Sequence, residues 1–119
     1  MNKKNPRDVI FEMLYAFLDK KISLKILIDQ FIKEELKHND KAFILNIIKG
    51  IVREKRILDE NIYQYSKIKK IDLKTLTLLY IGVYQLLFCD SIPNYASINT
   101  TVELSKRKHK KSFNFINAI

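Results

Sequence analysis

Residues 73–88 read LKTLTLLYIGVYQLLF, and no charge occurs in them after Lys74. The run is long for a strand and has no Pro to break it, so it reads as a helix. Its apolar residues fall nearly all round the helix rather than on one stripe. Such a helix has to be enclosed by others. Asp72 stands where a capping side chain is wanted. Gly82 inside the run costs about 1 kcal/mol of helix propensity relative to Ala, which a close crossing by another helix would explain. The expectation is an all-α, single compact bundle of six to seven short helices, with this helix at its centre.

The flanks fit that reading. Upstream, Asn5 and Pro6 suit a helix start. Ile10, Met13, Leu14, Phe17 and Leu18 then follow at i, i+3, i+4, i+7, i+8. Ser23 opens a second helix with Leu24, Leu27, Ile28 and Phe31 inward. KHND offers Asn39 or Asp40 as the cap of a third, which carries Ile44, Ile47, Ile48 and Ile51, with Gly50 allowing close approach. A break around Arg53 to Arg56 leads into a fourth, with Leu58, Ile62 and Tyr65. Downstream of the central run, SIP precedes a sixth helix with Ile98 and Val102 inside. A seventh begins near Ser112, with Phe113 and Ile116 pointing in. No linker divides the chain, so residues 1–119 are read as one domain.

Composition excludes much. The two Gly and two Pro residues are too few for a turn-rich sheet protein. The single Cys89 rules out an internal disulfide and a cysteine-rich zinc site, and it reads as a small buried residue. His38 and His109 are far apart, so no metal pair is expected. There is no glycine-rich phosphate loop and no Ser or Cys nucleophile with a His nearby in sequence. Asp19, Asp29, Asp59 and Asp72 look like helix-end or surface residues. Nothing marks the chain alone as an enzyme. The N-terminal stretch lacks a cleavage site, and the uncharged run from Thr75 to Phe88 is too short to span a bilayer. A cytoplasmic protein with no membrane partner is expected.

The net charge of +9 points to polyanions. Lys and Ile each occur 18 times, the signature of an AT-rich genome. Clustering is therefore better evidence than the total. Three clusters stand out. Lys3, Lys4 and Arg7 open the first helix. Lys49, Arg53, Lys55 and Arg56 surround the junction of the third and fourth. Lys106, Arg107, Lys108, Lys110 and Lys111 place five cations in six positions. Cations near helix starts suit phosphates, and exposed aromatics suit unpaired bases. Tyr15, Tyr63 and Tyr65 are the stacking candidates. Any one such cluster is more often a solvated lysine face. A helical protein-interaction module, its charge set by genome composition, is the competing reading.

IPNYASINTTVELSK followed by KSFNFINAI resembles the NusB family, and DKAFILNIIKGIVREKRILDENI and YIGVYQLL extend the likeness over almost the whole chain. The family includes free-standing transcription antitermination factors, which bind a single-stranded RNA element with a ribosomal protein. It also includes the N-terminal domain of a small-subunit rRNA cytosine-5 methyltransferase. KKNPRDVIFEML, GVYQLLFCDSIPNYASIN and the closing NAI resemble the second kind more. The resemblance therefore implies an RNA-binding domain, itself non-catalytic, that positions rRNA. A following domain in cis would bind S-adenosylmethionine and hold the catalytic cysteines. The antitermination factor is the alternative. Asn99, Glu103 and Asn117 match family positions and are read, with Gly82, as structural: partly buried groups bonding between helix ends. Arg7 and its lysines match the family's basic, RNA-contacting N-terminal region. Thr100 and Ser105 replace the usual Glu and Ala, and the glycines common before the last helix are missing.

Overall fold

The computed structural model describes residues 5–32, 37–65 and 71–110. Within them the chain forms α1 (Pro6–Lys20), α2 (Leu24–Phe31), α3 (His38–Arg53), α4 (Lys55–Tyr65), α5 (Leu73–Phe88) and α6 (Asn94–Lys108), with no strand. The all-α bundle is as expected. The seventh helix, with Phe113, Ile116 and Asn117, lies outside the described residues. So do Lys3, Lys4 and Lys111.

The helix starts show why the chain breaks where it does. Asn5 Oδ1 accepts from the Arg7 N–H at 2.9 Å, and Pro6 takes the first position, where no N–H is needed. Ser23 Oγ accepts from the Ile26 N–H at 3.4 Å. Asp72 accepts from both the N–H and the hydroxyl of Thr75, at 3.1 and 2.7 Å. The third helix departs from expectation. It begins at His38, with Lys37 at the cap position and no side-chain bond. Asn39 and Asp40 fall inside its first turn, where a carboxylate still complements the helix dipole. The break between α3 and α4 is the single residue Glu54. Its N–H reaches the Gly50 carbonyl at 2.9 Å, and its own carbonyl accepts from Leu58 at 3.0 Å.

The long apolar helix is central. Leu78, Tyr80 and Ile81 of α5 are buried among Ile10, Met13 and Leu14 of α1, Ile44, Ile48 and Ile51 of α3, and Leu58 and Ile62 of α4. Tyr80 donates its hydroxyl to Asp59 of α4, which Lys55 also pairs at 3.0 Å. Burial and that carboxylate push the Tyr80 phenol far up. Asp59 is thus an interhelix tie rather than a plain surface acid.

Gly82 marks the crossing of α5 and α6. A Cβ there would lie 2.9 Å from both Oγ1 and Cγ2 of Thr101. That proximity corrects the expected inner face of α6. Val102 is buried, but Ile98 is 47% exposed. Ser97, Thr101 and Ser105 face inward instead. Thr101 and Ser105 turn their hydroxyls onto α6's own carbonyls, at 2.7 and 2.6 Å. Ser97 Oγ is buried with no partner among the described residues, and the small size of all three side chains lets the two backbones approach.

Candidate nucleic-acid interface

The first turns of α1 bring Arg7 of the first basic cluster near Arg107 and Lys108 of the third. Arg7 does not extend freely into solvent. It is half-buried, its Nη2 donates to Gln85 Oε1 of α5 at 2.9 Å, and its guanidinium lies 5.2 Å from the Phe43 ring centroid of α3. Gln85 is 1% exposed and donates its own N–H to the Ile81 carbonyl at 3.0 Å. Arg7 Nε is buried with no hydrogen-bond partner among the described residues. Burial lowers the Arg7 pKa. The approach of Cys89 opposes that, and Arg107 adds to it. The group stays charged, because a guanidinium cannot be deprotonated in a protein.

Arg107 at the end of α6 donates through Nε and Nη2 to Asp8 Oδ1, at 3.0 and 2.8 Å. Lys108 reaches Glu12 at 3.1 Å. Asp8 and Glu12 are four residues apart, so they share one face of α1. This pair of acids draws Arg107 and Lys108 of the third cluster onto α1, next in the chain to Arg7. Lys106 pairs with Glu103 at 3.3 Å, and Lys110 is exposed just beyond. His109 Nε2 lies 3.0 Å from Asp72, fastening the end of α6 to the start of α5.

The middle cluster is locally neutralised. Arg53 pairs with Glu54 at 3.1 Å, Lys55 with Asp59 at 3.0 Å, and Arg56 with Glu60 at 3.6 Å. Arg53 also stands beside the Tyr84 hydroxyl. Tyr84 in turn fills the space left by the missing side chain of Gly50. Lys49 is exposed one turn before Arg53 on the same face of α3.

Other expected site residues fall elsewhere. Asn99 and Glu103 were expected as partly buried links between helix ends. Both are exposed, because they lie on the side of α6 opposite the Ser97–Thr101–Ser105 seam. Gly82 lies in the crossing with α6, where a Cβ would meet Thr101 at 2.9 Å. Of the stacking candidates, Tyr63 is 41% exposed. Tyr15 is half-buried, stacked on Phe11 with centroids 6.0 Å apart, and has Lys74 5.8 Å from its ring. Tyr65 ends α4, and its side chain lies outside the described set. Cys89, expected to be buried, is half-buried at the end of α5, where burial pushes its thiol up. Sequence reading missed Gln85, Asp8 and Glu12. The acids had a signal, a four-residue spacing on one helix face. Gln85 had none.

The description of the NusB family as a sequence model matches residues 4–119. The chain belongs to the NusB family. Its relatives include proteins named transcription antitermination protein NusB. That of Acetivibrio thermocellus is 28% identical over all of this chain and 86% of the relative. Those of Clostridium acetobutylicum and Clostridium botulinum strain Alaska E43 are each 30% identical, over all of this chain and 92% and 95% of theirs. A solved structure of T. maritima NusB superposes with a TM-score of 0.85, covering 99% of this chain and 88% of that one at 22% identity, which establishes the shared fold.

These relatives overturn the methyltransferase expectation as the reading of this chain, and the rRNA substrate, the S-adenosylmethionine site and the catalytic domain in cis find no support in them. NusB proteins named for antitermination match this chain over most of their own length. The residues behind the finer likeness explain the error. Pro6 starts α1, Tyr84 and Gln85 pack inside α5, and Pro93 sets the entry to α6. These are scaffold positions, which any chain of this fold has reason to keep. They carry no information about which branch of the family is present. No described helix is long and apolar enough to cross a membrane.

Proposed function

We propose that this NusB-family chain is a transcription antitermination factor that binds a short single-stranded RNA element together with a ribosomal protein and performs no chemistry of its own. The observation that carries the RNA reading is the seam between α1 and α6. Arg107 on Asp8 and Lys108 on Glu12, pairs 99 and 96 residues apart in the chain, hold two cations of the third cluster against the first turns of α1. Arg7 lies one residue from that seam. Lys110 continues it in sequence beyond α6.

Phosphates binding there would meet cations already placed by carboxylates. Arg107, with two N–H groups aimed in one direction, suits a phosphate oxygen as well as it suits Asp8. Arg53, Lys55 and Arg56 add charge at the α3–α4 junction. Each is paired on its own helix or with its chain neighbour, so each is a supporting contact. Counterion release supplies much of the affinity, and unpaired bases supply the selectivity for single strands.

The test is equilibrium binding of a short unstructured RNA and of its duplex, across a salt series, with and without the ribosomal protein. A transcription reaction through a terminator provides the functional readout. The proposal requires preferential binding of the single strand, tightening by the protein partner, and increased read-through. Equal affinity for duplex, or read-through that ignores the added chain, would remove it.

A further inference from the structure

Leu86, Leu87 and Phe88 close α5 with 37%, 45% and 40% of their surfaces exposed, although the same helix is buried from Thr77 to Gly82. Of the three, Phe88 has a constructed setting. Its ring stacks on Tyr84, with centroids 5.2 Å and planes 24° apart. Tyr84 is 7% exposed and is seated against Gly50 of α3, where any side chain would displace it. Arg53 stands beside the Tyr84 hydroxyl and is itself 66% exposed, and Lys49 is exposed one turn earlier on the same face. Gln85, which holds Arg7, is one turn before Phe88 on α5. The exposed ring is therefore held from behind by a second ring, with Arg53 of α3 beside that second ring's hydroxyl and Lys49 one turn earlier on the same face of α3.

We infer that Phe88, backed by Tyr84, is a platform on which one unpaired base of the RNA stacks, while Lys49 and Arg53 meet the neighbouring phosphates. An apolar ring combined with a cationic border fits a base and its backbone, since every base has a flat π face and every nucleotide a charge. A purely apolar protein partner would make no use of the exposed Lys49, or of Arg53, which is 66% exposed even while paired with Glu54. The inference rests on the RNA-binding reading. It adds a base contact at a place none of the three tyrosine candidates occupies.

The test uses the full chain, a short unstructured RNA of mixed sequence, and the variants Phe88→Leu and Phe88→Tyr. Leu keeps apolar cover over Tyr84 and removes the aromatic face. Affinity should fall about 5-fold or more with Leu and be retained with Tyr. The slope of log affinity against log salt should not change, because no phosphate contact is lost. A set of the same oligonucleotides, each lacking one base, sharpens the result. The original chain should lose affinity at one position, and Phe88→Leu should lose nothing further there.

If the original chain binds RNA and Phe88→Leu binds equally well, the platform is wrong and the RNA reading stands. Should the original chain not bind RNA, both fall. A loss in Phe88→Leu that is uniform over all the abasic oligonucleotides, or that tracks a loss of thermal stability, overturns the platform by showing that Phe88 acts through the fold. Unchanged RNA binding with weakened ribosomal-protein binding also overturns it, by assigning the surface to a protein.

Discussion

Arg7 and Arg107 stand on either side of Asp8, and they are held in opposite ways. Arg7 turns inward onto a neutral amide, Gln85, and an aromatic ring, Phe43. Arg107 stays at the surface on a carboxylate, with 40% of its side chain exposed. Both count equally in the net charge of +9. Only Arg107 is positioned to exchange its partner for a phosphate at little cost, because a surface ion pair contributes about 0–1 kcal/mol. Moving Arg7 would strip the bond from a buried amide. Charge that a partner can use is therefore a matter of burial and of what would be left behind.

The sharpest way to break this comparison is to remove each arginine in turn. Arg7→Ala leaves Gln85 Oε1 buried and unpaired, and should cost about 1–3 kcal/mol of stability. Arg107→Ala should cost less than about 1 kcal/mol. Denaturant midpoints, with the slope of the transition unchanged, measure both. Equal losses would mean that the two arginines are structurally equivalent and that the distinction is empty.

RNA binding separates them in the other direction. Replacing Arg107 and Lys108 together with Ala should flatten the log–log salt slope by about 1.4, at about 0.7 per lost phosphate contact on a single strand. Stability should hardly move. An unchanged slope would show that the end of α6 does not touch phosphate. A smaller effect should come from the acids. Asp8→Asn with Glu12→Gln removes the competitors for those cations, and affinity should rise by about 2- to 5-fold at low salt, the range a surface ion pair can supply. If affinity falls instead, the carboxylates matter more for aiming Arg107 and Lys108 than as rivals of the phosphates.

Much of the bundle was legible because it follows from periodicity and caps. The run from Leu73 to Phe88 announces a buried helix, and Asn5, Ser23 and Asp72 make the bonds their residue types imply. What failed depended on partners that a linear reading does not pair. Ser97, Thr101 and Ser105 look solvent-facing until Gly82 is seen opposite them. Ile98 looks inward-facing for the same reason. Asp59 looks like a surface acid until Tyr80 arrives from another helix. Among the site residues, the basic runs were visible as runs, but the acids that neutralise or gather them were not. The family followed from scaffold motifs. The branch did not, because those motifs serve packing and packing is common to both branches.

The smallest effect lies one residue beyond Lys108, at the same end of α6, where His109 meets Asp72, the cap of α5. Burial pushes the Asp72 carboxyl up. The hydroxyl and N–H of Thr75 outweigh it, the charge of His109 adds to them, and the net result lies below the ordinary value. A carboxyl whose pKa is lower in the folded than in the unfolded chain stabilises the fold at pH values above its unfolded pKa, about 3.9. That contribution disappears as pH falls through the folded value. The window is therefore acidic, below about pH 4, and neutral pH should show nothing of it. Asn at this position would keep the cap, since it also accepts from the N–H of the first turn, but would not titrate. Stability of the original chain should thus fall more steeply with acid than that of Asp72→Asn, measured by thermal unfolding along a pH series. The carboxyl is 60% exposed, so the difference should shrink further in high salt. Parallel pH profiles would mean that the α6 seam is held at this end by the Thr75 cap and backbone alone, with no part played by the charge on Asp72.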